Sequence, residues 1–307
     1  VNDLGHITNG AHRLAAALYL NKFVDTVGSE LTALADYQYF IKRGLKKFAM
    51  QRAAIEYAKL KSNSYVICLF PIAHTRMWEV KNIIMKYANI FYESTEELNP
   101  TGQLGLMKEI YLVEGWANEA GIQRKSDQCF RGENQVTFML VDAPSLETVK
   151  EMKAKIREEF NIGNHSVHIC DYHEDTIRIA KTVFNDNSIH FLNKRKNVSF
   201  PNYTKLMADM KPDNNKVITG SSVLSLYGLR DCKDIDLIYN VKPPIDSHNQ
   251  YLKTFYRLTL DDIVNNPKYH LYYNGFKYAT LDVIKNMKKL RNEPKDRIDV
   301  KLIESLK

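Results

Sequence analysis

The apolar residues of the chain are spaced differently in three consecutive stretches. In residues 1–60 they recur at helical spacing, as in HRLAAALYL and DYQYFIKRGLKKFAMQRAAIEYAKL, which predicts a helical segment. In residues 61–198 short β-rich runs (SYVICLF, NIFYE, QVTFML and SVHIC) alternate with helical patterns such as RMWEVKNIIMKYA, TGQLGLMKEIYLVEGWANEA and LETVKEMKAKIREEF. This order of strands and helices predicts an α/β domain, although it does not indicate a role for it.

Residues 199–307 predict a further domain of mixed α+β character. The polar segment NKRKNVSFPNYTKLMADMKPDNNK, with Pro201 and Pro212, is interpreted as a linker leading into it. Beyond the linker, KVIT predicts a strand, GSS a tight turn, SVLSLYGL a helix and DIDLIY a second strand. The chain is therefore predicted to be a multi-domain α/β protein.

Composition and charge narrow the class of partner. The chain has 307 residues, of which 44% are hydrophobic and 26% charged, as in ordinary globular proteins. Its formal net charge of +7 and pI of about 9.0 are a moderate basic excess. Such an excess favours anionic small molecules or glycans, and nucleic acid is not expected as a partner.

The spacing of the cysteines and the length of the apolar runs indicate the cellular compartment that we expect for the protein. Cys68, Cys129, Cys170 and Cys232 lie far apart without a C-x-x-C pair, which argues against a zinc ribbon or a disulfide framework. We expect buried, reduced thiols in a cytoplasmic protein. No apolar run approaches the roughly 18 residues that span a bilayer, and because the chain starts with Val1 inside a patterned segment, we expect it to be part of a longer protein.

The segment ITGSSVLSLYGLRDCKDIDLIYN combines a small-residue turn with a pair of carboxylates. Backbone N–H groups at a turn that opens a helix point outward and favour an anion such as phosphate. If DIDLIY is a strand, Asp234 and Asp236 share one face while Ile235 points into the core. Two carboxylates on one face suit a hard cation such as Mg²⁺, which also binds phosphate oxygens.

The same residues, TGSSVLSLYGLRDCKDIDLIY, resemble the signature of the polymerase-β-type nucleotidyltransferase superfamily. In that family a Gly-Ser turn on a helix precedes Asp-x-Asp on the next strand, and Tyr227-Gly228-Leu229-Arg230 is similar to an aromatic-Gly-x-Arg segment of its small bacterial members. The downstream helices, with Lys295-Asp296 and Asp299, resemble the helical tail of the same group. The resemblance covers residues 199–307 and implies that fold. It also implies a nucleotide-binding set, Gly220, Ser221, Ser222 and Arg230, and a catalytic metal-binding pair, Asp234 and Asp236, for Mg²⁺ or Mn²⁺.

Members of this family also carry a third acid, and the expected strand KYHLYYNG contains none. Asp282 follows closely and is predicted to fill this catalytic role, although it could equally cap the helix LDVIKNMKKL. Less favoured alternatives are Asp246, Asp261 and Asp262. Lysines on the same helix (Lys285, Lys288 and Lys289) could face the nucleotide or simply be solvated, and Arg230 could pair with Asp231 or Asp234 rather than with a phosphate.

Together these residues predict Mg²⁺-dependent transfer of a nucleoside monophosphate from a nucleoside triphosphate (NTP) to an unknown acceptor, in surface-glycan or small-molecule modification. Phosphoryl-type transfers depend mainly on charge neutralisation and placement, which a turn and two acids can supply. The alternative is a nucleotide-binding or assembly module with a degenerate catalytic centre.

Two other segments carry candidate chemistry. HSVHICDYHEDTIRIAKTVF contains potential metal ligands at His165, His168, Asp171, His173 and Glu174, but Asp171 and Glu174 also have capping-box spacing, which we favour. The N-terminal ITNGAHRLAAAL, with Gly10, His12 and Arg13, resembles a short segment of ParB-like nucleotide-binding domains.

Overall fold

The computed structural model describes Ala17, Ile41, Lys42 and residues 44–306. The α-helices of this part of the chain are α1 (Lys47–Leu60), α2 (Pro71–His74), α3 (Met77–Tyr87), α4 (Pro100–Ile110), α5 (Glu119–Phe130), α6 (Leu146–Phe160), α7 (His173–Val183), α8 (Asp186–Lys194), α9 (Pro201–Ala208), α10 (Ser221–Leu226), α11 (Leu260–Asn265), α12 (Leu281–Arg291) and α13 (Pro294–Glu304). Two 3₁₀ helices, Gly163–His165 and His248–Tyr251, and a π-helix, Leu252–Tyr256, are also present in this part of the chain. Its strands are β1 (Ser64–Leu69), β2 (Asn89–Glu97), β3 (Gln135–Asp142), β4 (Val167–Ile169), β5 (Lys216–Thr219), β6 (Asp236–Tyr239), β7 (His270–Tyr273) and β8 (Phe276–Ala279). The predicted ParB-like segment, with Gly10, His12 and Arg13, lies outside the described residues.

The chain forms two compact units, each with one four-stranded sheet. One unit lies within residues 1–97 and 123–180, and the other within residues 98–122 and 181–307. The prediction of a chain that mixes helices with strands is therefore confirmed. The second unit includes more of the chain than the predicted block 199–307.

None of the helices that the structure describes is long and apolar enough to cross a membrane.

The sheet of the first unit has the strand order β2-β3-β1-β4, with every neighbouring pair antiparallel. Helix α3 connects β1 to β2 and α6 connects β3 to β4, which is the split βαβ arrangement. Every residue of β1 is buried, and the apolar run that follows Ser64 predicts this for a strand covered on both faces.

Periodic apolar residues of α3 and α6 form the core of the first unit. Val149, Met152 and Ile156 follow one face of α6 and pack with Val80 and Ile84 of α3. Alternate residues of β1 and their neighbours on β3 and β4 complete the cluster; they are Tyr65, Ile67, Leu69, Met139, Val141, Val167 and Ile169. Helix α6 matches the stretch LETVKEMKAKIREEF because its start is capped by the Ser145 side chain and its end by Asn161 in the left-handed conformation.

The sheet of the second unit has the strand order β6-β5-β8-β7. Strands β5 and β6 are antiparallel, β5 and β8 are parallel, and β7 and β8 form a hairpin. The hairpin turns at Asn274-Gly275, where both residues have positive φ, as the two-residue turns that match strand twist require. Strand β5 leads directly into the Gly220 turn, and β6 begins at Asp236, the second of the two aspartates singled out in the sequence.

The middle of the polar segment interpreted as a linker forms helix α9, Pro201–Ala208. Pro201 occupies the first turn of α9, where its missing N–H costs nothing. The Asp231 carboxylate accepts hydrogen bonds from the backbone N–H groups of Asn202 and Tyr203, at 3.1 and 3.0 Å. A carboxylate distant in sequence thus completes the start of this helix, which the composition of the segment alone does not predict.

Candidate nucleotide and metal site

A cavity of about 460 Å³, lined mainly by charged residues, lies in the second unit, where the turn after β5 faces α12 and α13. Its lining residues are Gly220, Ser221, Arg230, Lys233, Asp234, Asp236, His248, Met287, Lys288, Arg291, Lys295, Ile298 and Asp299. This lining has five basic side chains against three carboxylates, so the cavity favours an anion.

Gly220 shapes the turn at one end of this cavity. It follows β5 directly and has φ of 64°, a left-handed conformation that glycine adopts without strain. A Cβ atom here would also overlap the Asp236 carboxylate. Because Thr219 pairs with Asp236 across the strands, the backbone approaches the carboxylate closely and no side chain fits between them.

The two serines of the turn have different environments. Ser221 lines the cavity and begins α10, which no side chain caps among the described residues, and the first N–H groups of a helix have no partner within it. Ser222, also predicted to bind nucleotide, is buried, and its hydroxyl donates to the Asp234 carbonyl at 3.1 Å. The side chain of Ser222 therefore holds the aspartate loop in place rather than facing the cavity.

Asp234 and Asp236 both line the cavity, but not because they share one face of a strand, as the sequence predicted. Strand β6 begins at Asp236, so Asp234 lies in the bend before it and its side chain is not set by strand alternation. Ile235 is only half-buried, and Ile238 supplies the core contact of the strand. The cavity thus receives one carboxylate from a loop and one from a strand end.

The carboxylates of Asp234 and Asp236 suit a hard cation that takes most of its ligands from phosphate and water rather than from the protein. Among the described residues there is no group of three or more histidine, cysteine, aspartate or glutamate side chains that could hold a metal ion. Mg²⁺ is commonly held by one or two carboxylates and completes its shell with phosphate oxygens and water. Asp234 and Asp236 fit this second pattern.

Arg230 is engaged by a buried carboxylate instead of facing the cavity freely. Its Nε and Nη2 donate to the two oxygens of Asp299 at 2.6 and 2.8 Å, and its Nη1 donates to the Asp231 carbonyl at 2.8 Å. The alternative of a pair with Asp231 or Asp234 is therefore met only in part, through a backbone carbonyl. A guanidinium held at three nitrogen atoms is a weak candidate for a mobile phosphate ligand.

This pair is the end of a chain of alternating charges, Arg230, Asp299, Lys288, Asp296 and Arg291. The Lys288 ammonium lies 2.7 Å from Asp299 and 3.1 Å from Asp296, and Arg291 donates to both oxygens of Asp296. Lys288, Asp296 and Asp299 are almost fully buried. The chain of charges joins α12 and α13 to the loop that carries the aspartates.

The buried cations keep both aspartates of this chain ionised. Burial alone raises the pKa of Asp296, but hydrogen bonds from Arg291 and Lys288 outweigh it and lower the pKa to about 2. The pKa of Asp299 is also lowered, because hydrogen bonds from Arg230 and Lys288 outweigh its burial. Asp299 lines the cavity, yet a carboxylate stabilised in this way is a poor proton acceptor.

Asp282, the predicted third catalytic acid, does not line the cavity. Its side chain is 83% exposed and pairs with Lys285 at 3.0 Å, while Thr280 caps α12. The alternatives Asp261 and Asp262 bond Asn265 and Thr259 near the start of α11, and neither they nor Asp246 line the cavity. The structure therefore does not bring any of these four acids together with Asp234 and Asp236.

The structure adds cavity residues that the sequence did not suggest as site residues, namely Lys233, His248 and Arg291. His248 contacts Asp236, with its Nε2 3.0 Å from Oδ1. Lys233 is exposed beside Asp234. Its position between the arginine and the aspartates was a possible signal, whereas nothing in the local sequence distinguishes His248 or Arg291.

The second candidate segment lies in the first unit and does not form a metal centre by the criterion above. Burial lowers the pKa of His168 to about 3, so its ring stays neutral at physiological pH. Asp171 pairs with Lys153 at 3.0 Å, and α7 begins two residues later, at His173. His165 accepts from Lys125 at 3.3 Å. These contacts leave the segment without a shared ligand position.

A scan against models of known protein families finds no match for the chain. A search of curated proteins also finds none.

Proposed function

We propose that the second unit transfers a nucleoside monophosphate from an NTP to an acceptor, with Mg²⁺ or Mn²⁺ as the cofactor. The observation that carries the proposal is the lining of one cavity by the Gly220-Ser221 turn, Asp234, Asp236 and several cations. The sequence resemblance to polymerase-β-type nucleotidyltransferases points to the same turn and the same aspartates. Charge neutralisation and placement are the main requirements of such a transfer.

The role that we propose for each cavity residue depends on whether its side chain is already held in an ion pair within the protein. Asp234 and Asp236 would hold the metal ion, which neutralises charge on the phosphates and activates the transferred phosphorus. Lys233 and Lys295 are the exposed cations of the lining and would bind phosphate oxygens, although Lys295 also lies 3.0 Å from Glu293. Arg230, Lys288 and Arg291 set a positive field from fixed positions in their ion pairs.

Met287 and Ile298 supply the apolar part of the same lining. Ile298 is 62% exposed although it borders a charged cavity, so an apolar partner would reduce its contact with water. A nucleobase is a flat group of this kind, and it would lie at the α12–α13 side of the cavity while the phosphates lie at the turn.

A second function, nucleotide binding without turnover, is favoured by one observation. Asp282 lies outside the cavity and Asp299 is fixed by two cations, so among the residues that the structure describes no further free carboxylate lines the cavity beside Asp234 and Asp236. Without such a base, proton removal from an acceptor hydroxyl would be slow. The module would then act in assembly or in nucleotide sensing.

Pyrophosphate release and nucleotide binding, measured in parallel, separate the two functions. Each of the four NTPs is tested with Mg²⁺ on the wild-type chain and on Asp234→Asn, Asp236→Asn and Asp282→Asn. Transfer predicts release by the wild type and a loss of about 100-fold or more in Asp234→Asn and Asp236→Asn, because metal stabilisation is worth several kcal/mol. Asp282→Asn, an exposed aspartate of the same unit, is the matched control and should stay within about twofold of wild type.

Two further results of these measurements would decide against transfer by the proposed residues. Mg²⁺-dependent nucleotide binding without pyrophosphate release from any NTP would support the binding module, and the absence of both would reject both functions. If Asp282→Asn loses as much as Asp236→Asn, Asp282 reaches the site after all and the three-acid mechanism is restored.

A further inference from the structure

A chain of hydrogen bonds ends on one oxygen of the Asp236 carboxylate. His248 Nε2 lies 3.0 Å from Asp236 Oδ1, His248 Nδ1 lies 2.7 Å from the Tyr256 hydroxyl, and that hydroxyl lies 2.8 Å from the Thr219 hydroxyl. Thr219 in turn is the strand partner of Asp236. The chain therefore starts and ends on the same pair of neighbouring residues.

The Asp236 carboxylate at one end of this chain determines which histidine nitrogen donates to it. An ionised carboxylate only accepts, so Nε2 must carry a proton and donate to Asp236. In the neutral ring Nδ1 is then the acceptor, and the Tyr256 hydroxyl donates to it. The Tyr256 oxygen can accept from Thr219, which completes a run of donors that all point toward the carboxylate.

The chain is buried and has little freedom to rearrange. Thr219 is fully buried, and Tyr256 and His248 are 4% and 9% exposed. Burial raises the pKa of Tyr256, so the phenol keeps its proton and remains a donor. Tyr251 also contacts the His248 ring edge-on, with ring centroids 5.2 Å apart. The imidazole is therefore held at both of its nitrogens and packs against a neighbouring ring.

The other side of the carboxylate is fixed by the backbone. Gly220 lies so close to Asp236 Oδ2 that a Cβ would overlap it. Oδ1 is held by His248 and Oδ2 rests against the turn, so the carboxylate plane has one orientation. Asp234, in contrast, is exposed in a bend, and its hydrogen bond with Ser222 involves its backbone carbonyl.

We propose that His248 is a positioning residue that orients Asp236 as the rigid one of two metal-binding carboxylates. This inference rests on the proposed function, since it assigns His248 a role toward the metal held there. Carboxylates that bind a metal generally also accept a hydrogen bond from a residue that does not touch the metal. The loss of such a partner weakens metal affinity by about 10–100-fold. His248 would act through the hydrogen bond from its Nε2–H to Asp236 Oδ1.

The test is a titration of Mn²⁺, followed by electron paramagnetic resonance, with and without a non-hydrolysable ATP analogue. His248→Phe keeps an aromatic ring and removes both nitrogens. His248→Gln keeps a donor near the position of Nε2, and Tyr256→Phe removes the donor to Nδ1. His190→Phe, at an exposed histidine of α8 in the same unit, is the matched control, and circular dichroism shows that each variant is folded.

We expect His248→Phe to weaken Mn²⁺ binding by about tenfold or more, His248→Gln to recover most of the affinity, and His190→Phe to match the wild type. Tyr256→Phe should show an intermediate loss, because the ring is then held at one nitrogen. If wild type and His248→Phe bind Mn²⁺ equally, the positioning role is rejected while the proposed function stands. If the wild type does not bind Mn²⁺ even with the analogue, the proposed function fails and the role of His248 fails with it.

Discussion

Gly220 is the residue whose replacement would disturb the cavity most directly. It meets two demands at once, a positive φ and a close approach to the Asp236 carboxylate. Most other glycines with positive φ in the described chain meet only the first. The close packing of backbone and carboxylate is what gives the strand end a fixed place beside the turn.

Replacing Gly220 with alanine should therefore cost more than backbone strain. Gly163 is the matched control, because it has φ of 65° and nothing within 4 Å of an added Cβ. Gly163→Ala should lower the free energy of unfolding by about 1 kcal/mol, and Gly220→Ala by about 1–3 kcal/mol beyond that. Chemical denaturation measures both, and equal losses in the two variants would show that the Asp236 contact is not tight.

At the scale of elements, α12 and α13 are joined by ion pairs of two kinds. Lys288 bridges Asp296 and Asp299 in the interior, and Lys289 pairs with Glu304 on the surface at 2.7 Å. Removing one partner of a buried pair leaves an uncompensated charge, whereas exposed pairs contribute little. The buried pairs therefore fix the helices against the cavity, and the exposed pair is dispensable.

Asp296→Asn should destabilise the protein near neutral pH, by about 3–5 kcal/mol, since Lys288 and Arg291 lose their shared partner. The pKa of Asp296 is about 2 in the folded protein, below the unfolded value of about 3.9. Its stabilisation is therefore complete above about pH 4 and is lost as pH falls toward 2.

The measurement is urea denaturation of wild type and variant between pH 7 and pH 2. The gap between them should narrow as the pH falls below 4, and Glu304→Gln should resemble the wild type near neutral pH. A gap that stays constant down to pH 2 would mean that the loss does not arise from the charge of Asp296.

At the scale of the whole molecule, each of the two compact units has its own sheet. The core cluster of α3, α6 and the first sheet lies in the first unit, and the candidate site lies entirely in the second. Regions with separate cores commonly open separately in hydrogen exchange. The structure thus predicts that damage to one core is felt first within its own unit.

Ile156→Ala, in the core face of α6, should destabilise the first unit by about 2–5 kcal/mol. Amide hydrogen exchange should become faster in β1, β3 and α6, because their shared cluster loses a buried side chain, and should change little in α12 and α13. Glu158→Gln, on an exposed position of the same helix, is the control. Equal acceleration in α12 would show that the two units open as one.

The sequence alone determined most of the local structure. KVIT and LETVKEMKAKIREEF match β5 and α6 residue for residue, because their ends carry their own signals: a glycine with positive φ after the strand, and caps at both ends of the helix. The turn and the two aspartates were also found as neighbours, since they are close in sequence. Asp234 lies in a bend before β6 rather than in the strand. The alternation of side chains along a strand cannot predict where the strand begins.

Only the tertiary structure decided the partners. Arg230 binds Asp299, which is 69 residues away, and that pairing depends on where α13 packs. His248 reaches Asp236 from a short 3₁₀ helix, His248–Tyr251, whose sequence does not indicate a site, while Asp282, favoured by proximity in sequence, lies outside the cavity. Local spacing fixes which face of an element a side chain occupies, but a site is formed by faces of elements distant in the chain, and their meeting is set by long-range packing.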